Sequence, residues 1–374
     1  MAKLSPKSNH QLVRALAEQF DDADKAKAYC AYADINTGNI DFSGSAIDMW
    51  RRVIKEVEIQ ERTINLLEKI IEDYNGIELY QQCIIELRDK QHERLNKIIR
   101  AINVGQCILF LGPGVLIGSK NGELHPFNRL LANGLADIMD KYNLYYDVNL
   151  RGDLSYMAQR FTDMPRHVDG DVGRYAKKLF QELIDNLAIE TKLFELLAPL
   201  PFKAIINANA DDLLYQQIYK ISSGDVAFSY YDSTNIVDDK SPSINYKQPI
   251  VYNIFGAYQN DLSILYTEGQ FLDFIIRILQ SNPAIDKRIT NEFERSQYYL
   301  FLGFDFNQWY FKVLFEVLKL RKENERTVSL NASSGEFSVY NREFFEQEFK
   351  FYFINEELPA FTADLIRKFK AQNV

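Results

Sequence analysis

The chain is poor in the residues that build metal and redox sites: it holds three cysteines and four histidines in 374 residues. Cys30, Cys83 and Cys107 lie far apart and form no Cys-x-x-Cys pair. A zinc ribbon needs four ligands at close spacing, so it is excluded and no metal is expected. Each cysteine reads as a small buried apolar residue rather than a nucleophile. An excess of positive charge is also missing, since 43 Lys and Arg stand against 52 Asp and Glu, for a net charge of −9. Direct nucleic-acid binding needs a basic footprint and is not expected. No apolar run is long enough to cross a bilayer. Met1-Ala2-Lys3-Leu4-Ser5-Pro6-Lys7 lacks the apolar segment of a signal peptide. The expectation is a soluble, cytoplasmic protein with no membrane contact. Internal repeats and low-complexity segments are absent as well.

Large side chains are plentiful: 47% of residues are hydrophobic and 13% aromatic. The stretch that organises the rest is Gln106-Cys107-Ile108-Leu109-Phe110-Leu111-Gly112-Pro113-Gly114-Val115. Its apolar run reads as a strand buried on both faces. The glycines after it let the backbone turn sharply and come close to a ligand. Nucleotide-binding α/β sheets begin in this way.

Ahead of that strand, Ser8 to about Tyr80 reads as a bundle of four or five helices. Leu12, Val13, Leu16 and Phe20 form one apolar stripe. Ser45 is a fair N-cap for a helix carrying Met49, Trp50 and Val53, and Gly76 a plausible C-cap for the next. Ile77 to Ile102 reads as one long helix, with His92 on its solvated side.

Behind the opening strand, buried strands alternate with helices from Asn103 to Leu320. The strands are Pro201–Asn209, Val226–Tyr230, Ile250–Gly256 and Tyr298–Phe304, with Tyr142 to Gly173 left irregular. That alternation predicts a parallel, doubly wound, Rossmann-like sheet. Ligands sit at the carboxyl ends of such strands, where Gly112, Gly114, Asn209, Asp211, Gly256, Gly303 and Asp305 collect. The tail breaks the alternation. Short strands are expected at 327–330, 336–340 and 349–353, with a turn at 331–335 and a last helix to about Phe369, giving an α+β extension.

Two resemblances rest on these residues. Gln11–Phe20 followed by Asp41-Phe42-Ser43-Gly44-Ser45-Ala46…Trp50 resembles the effector-associated domain of bacterial conflict systems, a death-domain-like helical adaptor. The resemblance implies homotypic docking onto a partner carrying a like domain, such as a sensor or an NTPase or protease of the same system. Homo-oligomerisation is expected with it. A helical core and a capped loop account for Phe42 and Trp50 equally well.

The central region resembles the SIR2-like, sirtuin-related NAD-binding family in its bacterial defence branch. Four segments carry this in order: Gly112-Pro113-Gly114-Val115, His125-Pro126-Phe127-Asn128-Arg129, Asn209-Ala210-Asp211-Asp212-Leu213-Leu214, and Leu302-Gly303-Phe304-Asp305. The resemblance implies NAD⁺ as ligand or substrate, cleaved between nicotinamide and ribose. It implies that residues 112–115 cradle the phosphates with backbone N–H groups, that Asn209 orients the ribose and the attacking water, and that Asp211 holds the amide end. The expected organisation is then an adaptor over 1–80, a linker helix over 81–102, a SIR2-like domain over 103–320 and an extension over 321–374.

Two departures stand out. The family's base is a histidine before glycine at a strand end, and the matching pair here is Phe255-Gly256. Pro113 removes an N–H from the first loop. His125 is the histidine closest in sequence to that loop; His167 lies in a charged stretch. Asp305 and Glu268 are carboxylates that could take a proton, though each also reads as a helix cap. Two readings remain open: an NAD⁺-hydrolysing effector recruited through its adaptor, or a degenerate module acting as nucleotide sensor or scaffold.

Overall fold

The computed structural model describes residues 3–60, 62–74, 77–163, 171–233, 248–318, 320, 327–329, 339–354 and 357–372; at 91, 92, 327–329 and 339 it describes the backbone only. His167, Gly76, the side chain of His92 and the turn expected at 331–335 therefore fall outside the described residues. The chain divides into two compact units, Met1–Lys97 with Phe353–Asn355, and Ile98–Tyr352 with Glu356–Val374.

The first unit is helical: α1 (Pro6–Gln19), α2 (Ala23–Tyr32), α3 (Ala46–Ile59), α4 (Thr63–Asp73) and the start of α5 (Glu78–Asn103). Ser5 and Ser45 cap α1 and α3, their side chains accepting from the amides of Ser8 and Asp48. The core gathers on Phe20 and Trp50, both fully buried. The Trp50 indole donates to the Phe20 carbonyl at 2.7 Å, so its one polar atom is satisfied in the core. The loop between α2 and α3 is tied down from α3. Arg52 Nε donates to the Asp41 carbonyl at 2.7 Å and its Nη2 to the Ser43 carbonyl. Phe42 is half-buried against the core, while Asp41 faces solvent and accepts from the Ser43 amide.

The second unit follows the order β1 (Cys107–Leu111), β2 (Ile117–Lys120), β3 (Glu123–Pro126), α6 (Phe127–Lys141), α7 (Leu154–Thr162), α8 (Val172–Asp185), α9 (Lys192–Leu197), β4 (Ala204–Asn207), α10 (Leu213–Ile221), β5 (Ala227–Tyr230), β6 (Ile250–Asn253), α11 (Glu268–Leu279), α12 (Lys287–Arg295), β7 (Tyr298–Leu302), α13 (Trp309–Val317), β8 (Thr327–Ser329), α14 (Val339–Glu348) and α15 (Leu358–Gln372). Six strands form one sheet in the order β5-β6-β4-β1-β7-β8, every pairing parallel. From β1 the chain builds outward to β4 on one side and to β7 on the other. That makes β1/β7 the switch point, where such sheets open a crevice. The strands end level: Leu111 pairs with Asn207 and Leu302, and Asn207 with Asn253.

Burial of β1, β4 and β6 is complete on both faces, as their unbroken apolar runs require. Behind β1 and β7 lies an aromatic core. Phe110 stacks on Phe301 at 4.3 Å, and Phe301 meets Phe315 and Phe351 at 5.1 and 5.0 Å.

Several expectations need correction. Tyr142–Gly173 contains α7, capped by Asp153, which accepts from the Tyr156 amide. Outside those expectations, β2 and β3 form an antiparallel hairpin closed by the two-residue turn Asn121-Gly122, both at positive φ. In the tail, Val339 and Tyr340 begin a helix rather than end a strand. Phe349 and Phe351–Phe353 are buried without strand pairing, with Lys350 exposed between them, because Phe351 is claimed by Phe345, 5.4 Å away, and by the core. Thr327–Ser329 joins the main sheet parallel to β7.

Candidate active site

At the level ends of β1, β4 and β7 lies a cavity of about 460 Å³. Its size falls within the range of small-molecule sites, roughly 300–1,000 Å³. Pro113, Gly114, Asn209, Phe255, Gly303 and Asp305 line it. Gly112, Val115, Asp211, Gly256 and His125 are not in the lining. His125 sits on β3, its Nε2 3.5 Å from Glu123 Oε2. Glu268 is exposed at the start of α11, also outside the lining.

The glycines serve a purpose other than the expected one. A Cβ on Gly112 would stand 2.4 Å from the Gly303 carbonyl oxygen, and one on Gly303 2.7 Å from the Val115 nitrogen. Gly303 also holds φ at +71°. The loops after β1 and β7 thus meet backbone to backbone. The Gly112 amide donates to Leu302 at 2.8 Å, that of Gly114 to Gly303 at 2.8 Å, and that of Val115 to Gly112 at 3.2 Å. Pro113 has no N–H. Every amide of residues 112–115 is committed inside the protein, so this loop offers none to a phosphate.

Free amides lie at the start of α6, whose Phe127 amide donates to the Leu116 carbonyl at 2.8 Å. α6 has no side-chain cap, and the amides of Asn128 and Arg129 in its first turn have no acceptor among the described residues. Both residues line the cavity. Uncapped donors, the positive end of a helix and a guanidinium together suit an anion.

Asn209 is fixed between strands. Its Nδ2 donates to the Gly112 carbonyl and to Asn207 Oδ1, both at 3.0 Å. Two acceptors at one end settle which way the amide points. Its Oδ1 then has no donor among the described residues and can accept from a ligand hydroxyl or water. Asp211 lies deeper. Its carbonyl accepts from Asn207 Nδ2 at 3.1 Å and Asn253 Nδ2 at 2.8 Å, its Oδ1 accepts from the Leu213 amide, and its Oδ2 is buried without a partner. Burial pushes its pKa up to about 6, with Asp212 adding to the rise.

One wall is aromatic. Phe255 lies 5.0 Å from Phe271 and 6.0 Å from Tyr310, and Phe271 stacks on Tyr310 at 4.2 Å. Burial holds the Tyr310 hydroxyl protonated far above neutrality. No group on this wall takes a proton. Gly256 beside it packs against Ser263, with no room for a Cβ. The carboxylates at the cavity are Asp153 and Asp305, each with one oxygen accepting from a nearby amide, Tyr156 and Asn307 respectively.

Sequence reasoning missed Asp153, Ser155, Tyr258, Tyr266 and Gln308, all in the lining. Asp153 had a signal, a glycine-aspartate pair before an apolar helix. The tyrosines had none. They come from the turn after β6, and their hydroxyls lie 3.5 Å apart.

Known families cover much of the chain. Residues 203–354 match the SIR2-like domain family, and residues 2–88 match effector-associated domain 1. The first match holds Asn209, Asp211, Phe255 and Gly303, and begins after the loop at 112–115. No curated protein matches significantly. A solved structure described under the mechanism and regulation of Sir2 enzymes is 9% identical at a TM-score of 0.32, covering 75% of this chain and 99% of that one. A likeness so distant leaves the fold to rest on the strand order.

Proposed function

We propose that this chain, an effector-associated domain followed by a SIR2-like domain, is a bacterial defence effector. In this reading its cavity binds NAD⁺ and cleaves the nicotinamide–ribose bond, and its adaptor recruits it to a partner carrying a like domain. The observation that carries the reading is Asn209. It is locked at the strand ends with Oδ1 left to accept from a ribose hydroxyl or a water. The lining offers groups of the kinds that a dinucleotide would need. Arg129 and the first turn of α6 would take the diphosphate, and the face of Phe255, Phe271 and Tyr310 would take a flat ring. Asn209 then positions the ribose and the attacking water. Proton removal falls to Asp305 or Asp153, since Phe255 cannot perform it. A missing dedicated base typically costs about 10²–10⁴-fold in rate, so slow turnover is expected.

Phe255 favours a second reading, in which the cavity binds nucleotide without turnover and the chain acts as sensor or scaffold. The test is to incubate purified protein with NAD⁺, alone and with its recruited partner, and to assay nicotinamide. Release that disappears in Asn209→Ala supports the enzyme. A thermal shift with NAD⁺ or ADP-ribose but no release supports the sensor. Neither signal would remove both nucleotide readings.

A further inference from the structure

α11 has two unlike faces. Inside, Phe271, Phe274, Ile275 and Ile278 are buried, and Phe271 reaches the cavity. Outside, Leu272, Ile276 and Leu279 are 51%, 43% and 64% exposed. Their spacing places them in one stripe along the helix. α13, packed beside α11, exposes Trp309 and Val313 four residues apart. Single exposed aliphatics are ordinary, but a continuous stripe marks a contact surface.

Asp273 and Arg277 stand on one flank of this stripe, one turn apart. Both are exposed, and neither forms an ion pair among the described residues. A two-fold axis perpendicular to α11 and passing near Ile276 turns a second copy antiparallel. The two stripes then face each other, with Leu272 opposite Leu279 and Ile276 opposite itself. The flanking charges cross, so that Asp273 of each copy meets Arg277 of the other. Such self-complementarity is what an isologous dimer requires. A partner of a single charge sign would leave one of the two ions opposed.

We propose that the outer face of α11 is a self-association surface, occupied by α11 of a second copy in antiparallel register. The proposal stands apart from the NAD⁺ reading and is tested without nucleotide. It joins copies through the SIR2-like part of the chain, at the helix whose inner face walls the cavity.

The register gives a direct test in the full chain. Ile276→Cys, closest to the axis, should form a covalent dimer on mild oxidation, because facing Cβ atoms near the axis come within disulfide reach. Background is low, since Cys30, Cys83 and Cys107 are buried. Leu187→Cys, 93% exposed and off α11, is the control. Cross-linking at 276 no faster than at 187 overturns the proposal. Sedimentation supplies the second measurement. Asp273→Arg should weaken the dimer about tenfold, as like charges now face each other, and Asp273→Arg with Arg277→Asp should restore it. An oligomer indifferent to Asp273→Arg, or a swap that fails to restore it, also overturns the proposal.

Discussion

Asp211 is the buried carboxylate with most to reveal. Its folded pKa is raised to about 6 against an ordinary 3.8. Between these values the folded chain holds more protons than the unfolded chain, so this group's contribution to stability falls as pH rises through the window. Above about pH 6 the cost of burying the charge is fully present. Asp211→Asn keeps an acceptor for the Leu213 amide and removes the charge. Unfolding free energies from urea titrations should therefore match wild type near pH 4 and exceed it at pH 7.5, by roughly 3 kcal/mol. A gap that stays constant across this range would mean that Asp211 does not titrate there. Gly303 behaves differently. Gly303→Ala meets both a left-handed backbone and the Val115 nitrogen at 2.7 Å. The backbone alone costs about 1–3 kcal/mol, and the thermal midpoint should fall with the loop still in place or collapse if it cannot shift.

At the scale of elements, α11 carries a complete capping box, in which Thr267 accepts from the Gln270 amide while the Gln270 side chain accepts from the Thr267 amide. Thr267→Ala should cost about 1 kcal/mol and loosen the Phe271 wall, read as a lower melting temperature and, if the cavity binds NAD⁺ as proposed, weaker NAD⁺ binding. Unaltered ligand affinity would show that the cap does not hold the wall. The sheet was legible because β1, β4, β6 and β7 are apolar runs closed by turn residues, and strand ends such as Asn209 and Gly303 lie in the lining of the cavity. β2 and β3 did carry a signal, which the weak alternation of Gly118, Ser119 and Lys120 obscured: they pair across the two-residue turn Asn121-Gly122, both at positive φ. Residues 349–353 misled for the opposite reason. Their aromatic density mimics a strand, but packing on Phe301 and Phe345 replaces backbone pairing. What the glycines do was not legible, since only the fold reveals that Gly112 packs against the Gly303 carbonyl.

For the whole molecule, the matter is two units with separate cores. Trp50 is buried among Phe20, Val53 and Leu66 in the first. Trp50→Ala should remove about 3–5 kcal/mol there. If the cavity binds NAD⁺ as proposed, the second unit should keep the stabilisation by NAD⁺, worth about 2.7 kcal/mol at a hundredfold excess over Kd. Calorimetry in which that stabilisation vanishes would show that nucleotide binding depends on the fold of the first unit. No helix among the described residues is long and apolar enough to cross a membrane. Around the cavity the amides differ in what they can still do. Those of Gly112, Gly114 and Val115 are spent within the protein, and Phe127 at the start of α6 donates to the Leu116 carbonyl at 2.8 Å, whereas those of Asn128 and Arg129 have no acceptor among the described residues. In hydrogen exchange, the amides of Gly112, Gly114 and Val115 should be slow with or without nucleotide, and those of Asn128 and Arg129 should slow only when it binds.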